Sequence, residues 1–318
     1  MLLDQLVWLA KTGEVNQYYF SYGLDRKDSK PDQFLPYNHF RRIRNDRNRA
    51  KHGKDGFDYV CLLRDKFVFS QFLKSLGFPT PRNVALFDSG RLTLLDTMEQ
   101  VGKAQLVERG NAHWFCKPLT GIAGTGSFCL DVEDGRLFVN AEETTLEALS
   151  QRLRDRYLIQ ERLVQHPKMA ELHPASINTL RLVTYRSGTE IGLLSAHVRM
   201  GANGKVVDNW NSGGLLIAVD RTNGTLTAEG FFKPGHGGRV REHPTTGVVF
   251  AGFQIPQFDA CIEMVKAIHT HLYGIHSIGW DVVVTPTGPL VIEGNDDWGP
   301  SMTVDSGFKS RFLKVMQE

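Results

Sequence analysis

The sequence predicts an α+β fold, because short β-branched runs joined by tight turns are mixed with only a few amphipathic helices. Three stretches carry that prediction. Residues 278–295, IGWDVVVTPTGPLVIEGN, place two β-branched runs around Pro286-Thr287-Gly288-Pro289, which reads as a hairpin. Residues 115–130, FCKPLTGIAGTGSFCL, read as strand, Gly-rich loop, strand. Residues 257–273 put Phe258, Cys261, Ile262, Val265, Ile268 and Leu272 on one face of a helix.

Composition bounds the rest. The 318 residues are 41% hydrophobic and 23% charged, enough for one large or two modest domains with a sizeable core. A net charge of +2 gives no pull toward a polyanion, and no nucleic-acid partner is expected. Cys61, Cys116, Cys129 and Cys261 form no CxxC pair, so a reducing compartment is expected. The start, MLLDQLVWLAK, lacks the basic region and cleavage site of a signal peptide. No apolar run approaches the ~18 residues of a membrane span. A cytoplasmic protein is expected, and an oligomer is compatible with the composition.

Taken in order, residues 1–24 read as a partly apolar helix ending near Gly23, and 25–36 as a charged connection. Residues 40–54 carry seven Lys/Arg against one Asp. A solvated helix face is preferred there to a nucleic-acid site, because no aromatic residues interleave the basic ones. Residues 64–77 space Phe69, Phe72, Leu73 and Leu76 as a helix does, with Gly77 as its stop and Pro79 and Pro81 beyond. A helix near 146–156 leads to a strand at 157–161. Further strands are expected at 181–186, 190–200 and 215–220, a polar loop at 208–214, a long Gly- and His-rich loop at 225–249, and a closing helix at 308–315.

Several stretches could carry chemistry. With the last turn centred on Thr287, Val283 faces Val291, Asp281 faces Glu293, and Asn295 points the same way. Two carboxylates and an amide oxygen would converge. Hard oxygens suit Mg2+, which is held by one or two carboxylates plus substrate phosphates; a surface hairpin with scattered acids is the alternative. Lys117 ends a buried-looking strand, and Gly121, Gly124 and Gly126 would let backbone N–H groups close on a phosphate. No GK[ST] follows, so this is not a Walker loop, and a structural hairpin remains open. In YLIQE, Gln160 and Glu161, with Leu163 after them, could meet an adenine edge or simply end a strand. Arg181 starts one strand, and Ile191, Leu193, Ser195, His197 and Arg199 share one face of the next. A buried-face Arg demands an anion or a salt bridge across the sheet. DNWNSGG supplies Asn209 and Gly213-Gly214. His236 and His243 in a Gly-rich loop are expected to be solvated. No Ser/His/Asp order or nucleophile elbow appears.

Together these residues resemble the ATP-grasp superfamily. The order is Lys66 before GFPTP, Lys117 with GIAGTG, the hinge IQERLV, Arg199, the N-x3-GG of Asn209, Gly213 and Gly214, and the D-x11-E-x-N of Asp281, Glu293 and Asn295. It covers roughly residues 65–300. The pattern QERLVQHP…INTLRLVTY…DNWNSGG…HP…IP is most similar to the sugar-transfer-associated group related to α-L-glutamate ligases, which is found with surface-polysaccharide genes.

The resemblance implies two α+β lobes with antiparallel sheets gripping ATP, residues 65–160 and 161–318, after a short helical and partly basic segment, 1–64. It implies an ATP-dependent ligase that phosphorylates a small-molecule or sugar-linked carboxylate to an acylphosphate, which an amine attacks. A phosphotransferase on the same fold and a non-catalytic nucleotide-binding subunit are the alternatives. It gives Lys66 and Lys117 to the ATP phosphates, the loop of Gly121, Gly124 and Gly126 to a lid, and Gln160, Glu161 and Leu163 to adenine. Asp281, Glu293 and Asn295 would hold Mg2+, with Mn2+ as a second choice. Arg181, Arg199 and Asn209 would act on the transferring phosphoryl group. Two features depart from the pattern. The separate N-terminal α/β domain of full ligases has no counterpart in residues 1–64, and no acidic ribose contact follows the hinge, where only His166, Lys168 and Glu171 stand.

Overall fold

The computed structural model describes residues 2–20, 22–27, 30–49, 56–120, 124–202, 213–233, 235–300 and 307–317. They form two compact units: Met1–Leu63 with Gln165–Glu318, and Arg64–Val164. In chain order, α1 (Leu2–Thr12), α2 (Tyr37–Asn48) and α3 (Cys61–Arg64) come first. The smaller unit runs α4 (Lys66–Ser75), β1 (Asn83–Asp88), β2 (Arg91–Leu94), β3 (Gln100–Val101), α5 (Gln105–Glu108), β4 (Ala112–Pro118), β5 (Phe128–Glu133), β6 (Arg136–Val139), β7 (Glu142–Thr144), α6 (Leu146–Arg152) and β8 (Tyr157–Glu161). The larger unit resumes with α7 (Pro167–Leu172), β9 (Thr179–Ser187), β10 (Glu190–Met200), β11 (Leu215–Val219), β12 (Leu226–Phe232), β13 (Arg239–Val240), α8 (Phe258–Thr270), β14 (Ser277–Thr285), β15 (Gly288–Asn295) and α9 (Phe308–Val315). Two antiparallel sheets with helices make this an α+β fold.

The smaller unit is built on an eight-stranded sheet of order β3-β2-β1-β8-β4-β5-β6-β7. One face is apolar: Trp114, Cys116, Phe128, Leu130 and Ile159 join Leu106 of α5 and Leu149 of α6 in one core. Helix α4 is closed at both ends by local chemistry. Asp65 Oδ1 accepts the N–H groups of Phe67 and Val68, satisfying two of the donors a helix start leaves unpaired. At the other end Gly77 takes φ +78°, and the Gly77 and Phe78 N–H groups donate back to Lys74 and Leu73.

The larger unit is built on a seven-stranded sheet of order β13-β12-β11-β10-β9-β14-β15. Helix α8 packs on one face through Phe258, Cys261, Ile262, Val265 and Ile268, the stripe its spacing predicts. On the other face, Trp8, Tyr19, Phe40, Trp298, Phe308 and Phe312 form a cluster with Val183 and Leu194 of the sheet. The beginning and end of the chain are thus fastened to the same sheet.

Four expectations are corrected. The first helix stops at Thr12 rather than near Gly23, because Gly13 turns left-handed at φ +77°. Residues 225–249 are not one loop, since β12 and β13 extend the sheet there. The buried His243 is not solvated: its Nε2–H donates to the Gly201 carbonyl, and its Nδ1 accepts the Thr245 N–H. The basic segment is more than a solvated face. Phe40, Arg44 and Asn48 recur every four residues on a buried stripe of α2. The Arg44 guanidinium donates to the Trp298 carbonyl, pairs with Asp297 and lies over the Phe40 and Trp298 rings. Burial lowers its pKa to about 10, which keeps it cationic at neutral pH. Asn48 donates to the Ser277 and Asp296 carbonyls and accepts the Ser277 N–H, tying α2 to the start of β14. No helix among the described residues is long and apolar enough to cross a membrane.

Candidate functional site

A lateral row of polar residues crosses the seven-stranded sheet. Backbone register pairs His197 of β10 with Arg181 of β9, Arg181 with Asp281 of β14, and Asp281 with Glu293 of β15. Directly opposed residues share a face, so the four side chains stand in one line. Arg199, two residues from His197, and Asn295, two residues from Glu293, join that face. The larger unit therefore assembles Arg181, Arg199, Asp281, Glu293 and Asn295, five of the site residues expected from the sequence, with His197 beside them.

Two β-bulges make the row. On β10 the register slips between Leu193 and Ser195, so Leu193 opposes Thr184 while Ser195 opposes Val183. Ile191 and Leu193 therefore leave the face of Ser195, His197 and Arg199, which corrects the expectation that all five share it. On the last hairpin the turn is Pro286-Thr287, so Val283 opposes Leu290 rather than Val291. The slip between Asp281 and Val282 then restores Asp281 to Glu293.

The electrostatics follow from these neighbours. Arg181 Nε donates to Asp281 Oδ1 at 2.6 Å and its NH2 to Oδ2 at 3.0 Å, a bidentate fork. Arg199 NH2 lies 3.0 Å from the same Oδ2, and its Nε donates to the Thr179 hydroxyl at 3.2 Å. Burial alone would raise the Asp281 carboxyl, but the two guanidiniums outweigh it and hold the group below the usual carboxylate range. Burial, helped by the same two cations, drives His197 well below its ordinary value, so its ring is neutral. Asn295 donates through Nδ2 to the Gly279 carbonyl at 3.3 Å, which leaves its oxygen as the acceptor. Gly279 is forced: a Cβ there would fall 2.5 Å from that of Trp298.

In the smaller unit, Lys117 is buried on the sheet face opposite the apolar core, the face it shares with Gln160. The Lys66 N–H donates to the Leu119 carbonyl, so the start of α4 meets the chain just past Lys117. Gly126 comes to the same end. It takes φ +78°, and a Cβ on it would lie 3.1 Å from Pro118 and 3.3 Å from the Tyr157 hydroxyl, which donates to its carbonyl. Gly124 is also left-handed, at φ +71°. Gly121 and Asn209 lie outside the described residues.

The strand end at 160–163 is largely committed to the fold. Gln160 Nε2 donates to Asn83 Oδ1 at 2.7 Å, and Asn83 Nδ2 donates to Ser70. Glu161 pairs with Arg82 at 2.6 Å, and the Glu161 N–H donates to the Arg82 carbonyl. Among the described residues, no main-chain hydrogen bond is found for Leu163. In α7, Lys168 pairs with Glu171 and covers the Phe253 ring. Sequence reasoning missed the chain Ser70–Asn83–Gln160 and the buried Arg44; Ser70 beside Phe69 and Leu73 on an apolar stripe was the available signal for the first, and the stripe of Phe40, Arg44 and Asn48 offered none for the second.

A family model described as sugar-transfer associated ATP-grasp matches residues 56–317. No curated protein matches the chain. Among solved structures, it is similar to the D-alanyl-alanine synthetase A of Vibrio cholerae O1 biovar eltor, with 10% identity and a TM-score of 0.48 over 81% of this chain and 65% of that one. It is similar to the D-alanine–D-alanine ligase of Bacillus anthracis, with 13% identity and a TM-score of 0.46 over 81% and 66%. It is similar to the L-amino acid ligase of Bacillus licheniformis, with 12% identity and a TM-score of 0.42 over 77% and 42%. The chain spans less than two thirds of the length of each of these three.

Proposed function

The chain belongs to the sugar-transfer-associated ATP-grasp family, and from that membership we propose that it is an ATP-dependent carboxylate–amine ligase acting through an acylphosphate in surface-polysaccharide or sugar-conjugate biosynthesis. The observation that carries this reading is the row in which Asp281 stands between two guanidiniums and opposite Glu293. Opposed carboxylates repel unless positive charge lies between them.

The residues present fit a divalent cation. Asp281 Oδ2 accepts from two guanidiniums, whereas Oδ1 accepts from Arg181 Nε. A carboxylate oxygen has two acceptor positions, so Oδ1 keeps one. With Glu293 and the Asn295 oxygen, the set offers three hard oxygen donors, suited to Mg2+ or Mn2+. A cation held there would offset charge on the nucleotide's phosphate oxygens.

The chain's own residues do the rest. Arg181, held by both oxygens of Asp281, fixes the carboxylate's orientation. Arg199 meets one oxygen, with a fifth of its side chain exposed. It is the guanidinium that turns to the transferring phosphoryl group, whose equatorial oxygens carry the developing charge. The substrate carboxylate attacks the γ-phosphorus and ADP leaves. The amine nitrogen then attacks the acyl carbon, phosphate leaves, and the nitrogen gives up a proton. Asn209 is proposed beside that transfer. In the smaller unit, Lys117, Lys66 and the loop of Gly121, Gly124 and Gly126 are proposed for phosphate. The Leu163 main chain is proposed for adenine, with Gln160 and Glu161 shaping the strand that presents it.

The test is turnover with ATP, Mg2+ and a panel of amino acids, uronic acids and amino sugars. A ligase releases ADP and phosphate in step with amide formation. Phosphate retained on the product would make the protein a kinase. ATP bound without turnover across the panel would make it a binding subunit.

A further inference from the structure

Helix α2 closes the end of the hairpin that carries the proposed cation donors. Glu293 and Asn295 stand on β15, the outermost strand of its sheet, beside β14. The ladder between these two strands ends at the pair of Gly279 with Asn295. The end of an outermost strand frays unless something fastens it. Asn48 does so just past the last pair. Its Nδ2 donates to the Ser277 carbonyl at 2.8 Å and to the Asp296 carbonyl at 3.0 Å. Its Oδ1 accepts the Ser277 N–H at 2.8 Å and the Ser277 hydroxyl at 3.1 Å. A side-chain amide has two N–H donors and two acceptor positions, and all four are used. The Ser277 hydroxyl in turn accepts the Trp298 indole N–H at 3.2 Å. One turn earlier on α2, Arg44 donates to the Trp298 carbonyl, pairs with Asp297 and lies over the Trp298 ring. The three residues that follow Asn295 are thus each held by α2.

We propose that Asn48 and Arg44 are positioning residues of the cation site: α2 fixes residues 296–298 against the start of β14, and so holds Asn295 and Glu293 in place across from Asp281. The inference rests on the reading of Asp281, Glu293 and Asn295 as a Mg2+ set. Two further observations support it. Arg44 and Asn48 are each 1% exposed, and burying them costs desolvation that leucine at both positions would not. What they add is direction, since a hydrogen bond fixes where its partner sits. The second observation is that the clamp reaches the polar row. Trp298 lies against the α-carbon of Gly279, and Arg181 NH1 is 3.5 Å from where a Cβ on that glycine would stand. Helix α2 precedes the matched residues 56–317, so this support comes from outside the stretch that the family model describes.

The test is calorimetric titration of the full chain with ADP, with and without Mg2+. A cation shared by protein and nucleotide tightens ADP, and the ratio of the two dissociation constants reports the cation site without turnover. Asn48→Leu should remove most of that tightening, about tenfold in the Mg2+-bound constant, as for outer partners of metal ligands, and leave the Mg2+-free constant unchanged. Arg44→Lys keeps the charge but not the fork, and should give a loss of the same kind of about threefold; it carries the test if Asn48→Leu does not fold. Val265→Ala, which loosens the core on the other face of the sheet, is the control for stability alone and should leave both constants unchanged. Equal weakening with and without Mg2+ overturns the proposal. So does full tightening in the folded variants when Glu293→Gln loses it, and in that case the cation reading stands. Wild-type tightening that is absent, or that survives Glu293→Gln, overturns the cation reading and the proposal with it.

Discussion

Arg181 Nε lies 2.6 Å from Asp281 Oδ1, and the same two residues are backbone partners across the ladder between β9 and β14. The side-chain fork and the main-chain register therefore fix each other. A slip of β14 by one residue against β9 would send the carboxylate to the opposite face, away from the guanidinium.

Asp281→Asn is expected to cost stability as well as activity. It leaves Arg181 and Arg199 without their shared counter-charge in a mostly buried place, a loss on the order of 3 kcal/mol. Replacing the pair together, Arg181→Met with Asp281→Leu, should recover much of that stability but none of the ATP turnover. Denaturant melts and ADP release measured on both variants separate the two roles.

Glu293→Gln keeps the shape of the side chain and the fold, and should lower Mg2+-dependent turnover by about a hundredfold. The melting temperature should stay within about 2 °C. Turnover equal to wild type would remove Glu293 from the metal set.

Arg199→Lys keeps the charge but loses the planar fork that reaches both Asp281 and Thr179. A fall in kcat of roughly a thousandfold with nearly unchanged ATP affinity is expected for a contact made mainly in the transition state. A proportionate rise in the ATP dissociation constant would make Arg199 a ground-state phosphate ligand.

Lys117→Ala should raise the dissociation constant of a non-hydrolysable ATP analogue by about tenfold or more, the scale of a lost charge-assisted hydrogen bond. Calorimetric titration beside a melting curve checks this. Loss of stability with intact affinity would make the lysine structural.

Stability should fall with pH from about 6.5 downward, the unfolded value for a histidine. Burial lowers His269 to about 4 in the folded chain, where its Nε2–H donates to the Ile275 carbonyl and its Nδ1 accepts from Thr184. Burial lowers His197 as well. Both are neutral when folded, so between pH 6.5 and 4 the unfolded chain binds more protons, and acid favours it. His269 alone contributes on the order of 3 kcal/mol across that window. Asp281 adds a second loss below the usual carboxylate value, as pH falls through its depressed folded pKa. Denaturant midpoints measured from pH 8 to 4 should show the first slope, and His269→Gln should flatten it.

The fold was legible where spacing alone sets structure. The α8 stripe from Phe258 to Ile268 and the strand Tyr157–Glu161 sit where the sequence puts them, because periodicity and turn residues act locally. Arg181 reads from the sequence as an anion partner or a bridge across the sheet, and the bridge depends on the register that sets Asp281 opposite it. What was hidden depends on partners far away in the chain. Arg44 reads as one more basic residue until Trp298, 254 positions later, covers it. Gln160 reads as either an adenine contact or a strand end, and nothing beside it in the chain shows that Asn83, 77 positions earlier, holds its amide. The bulges beside Leu194 and Ile292 left no sign in a pattern that alternates well enough without them.

The bulge at Ile292 has a consequence for changes in chain length. Near the turn, opposed positions on β14 and β15 sum to 573, and beyond the bulge to 574. Removing Ile292 would bring Glu293 into the place it left, still across from Asp281 on a straighter strand. Removing a residue between Leu290 and the turn, or adding one there, would carry Glu293 past its partner and face it toward the apolar side of Trp280. Homologous hairpins should therefore vary in length at this one position, and at the turn only when the bulge changes in compensation.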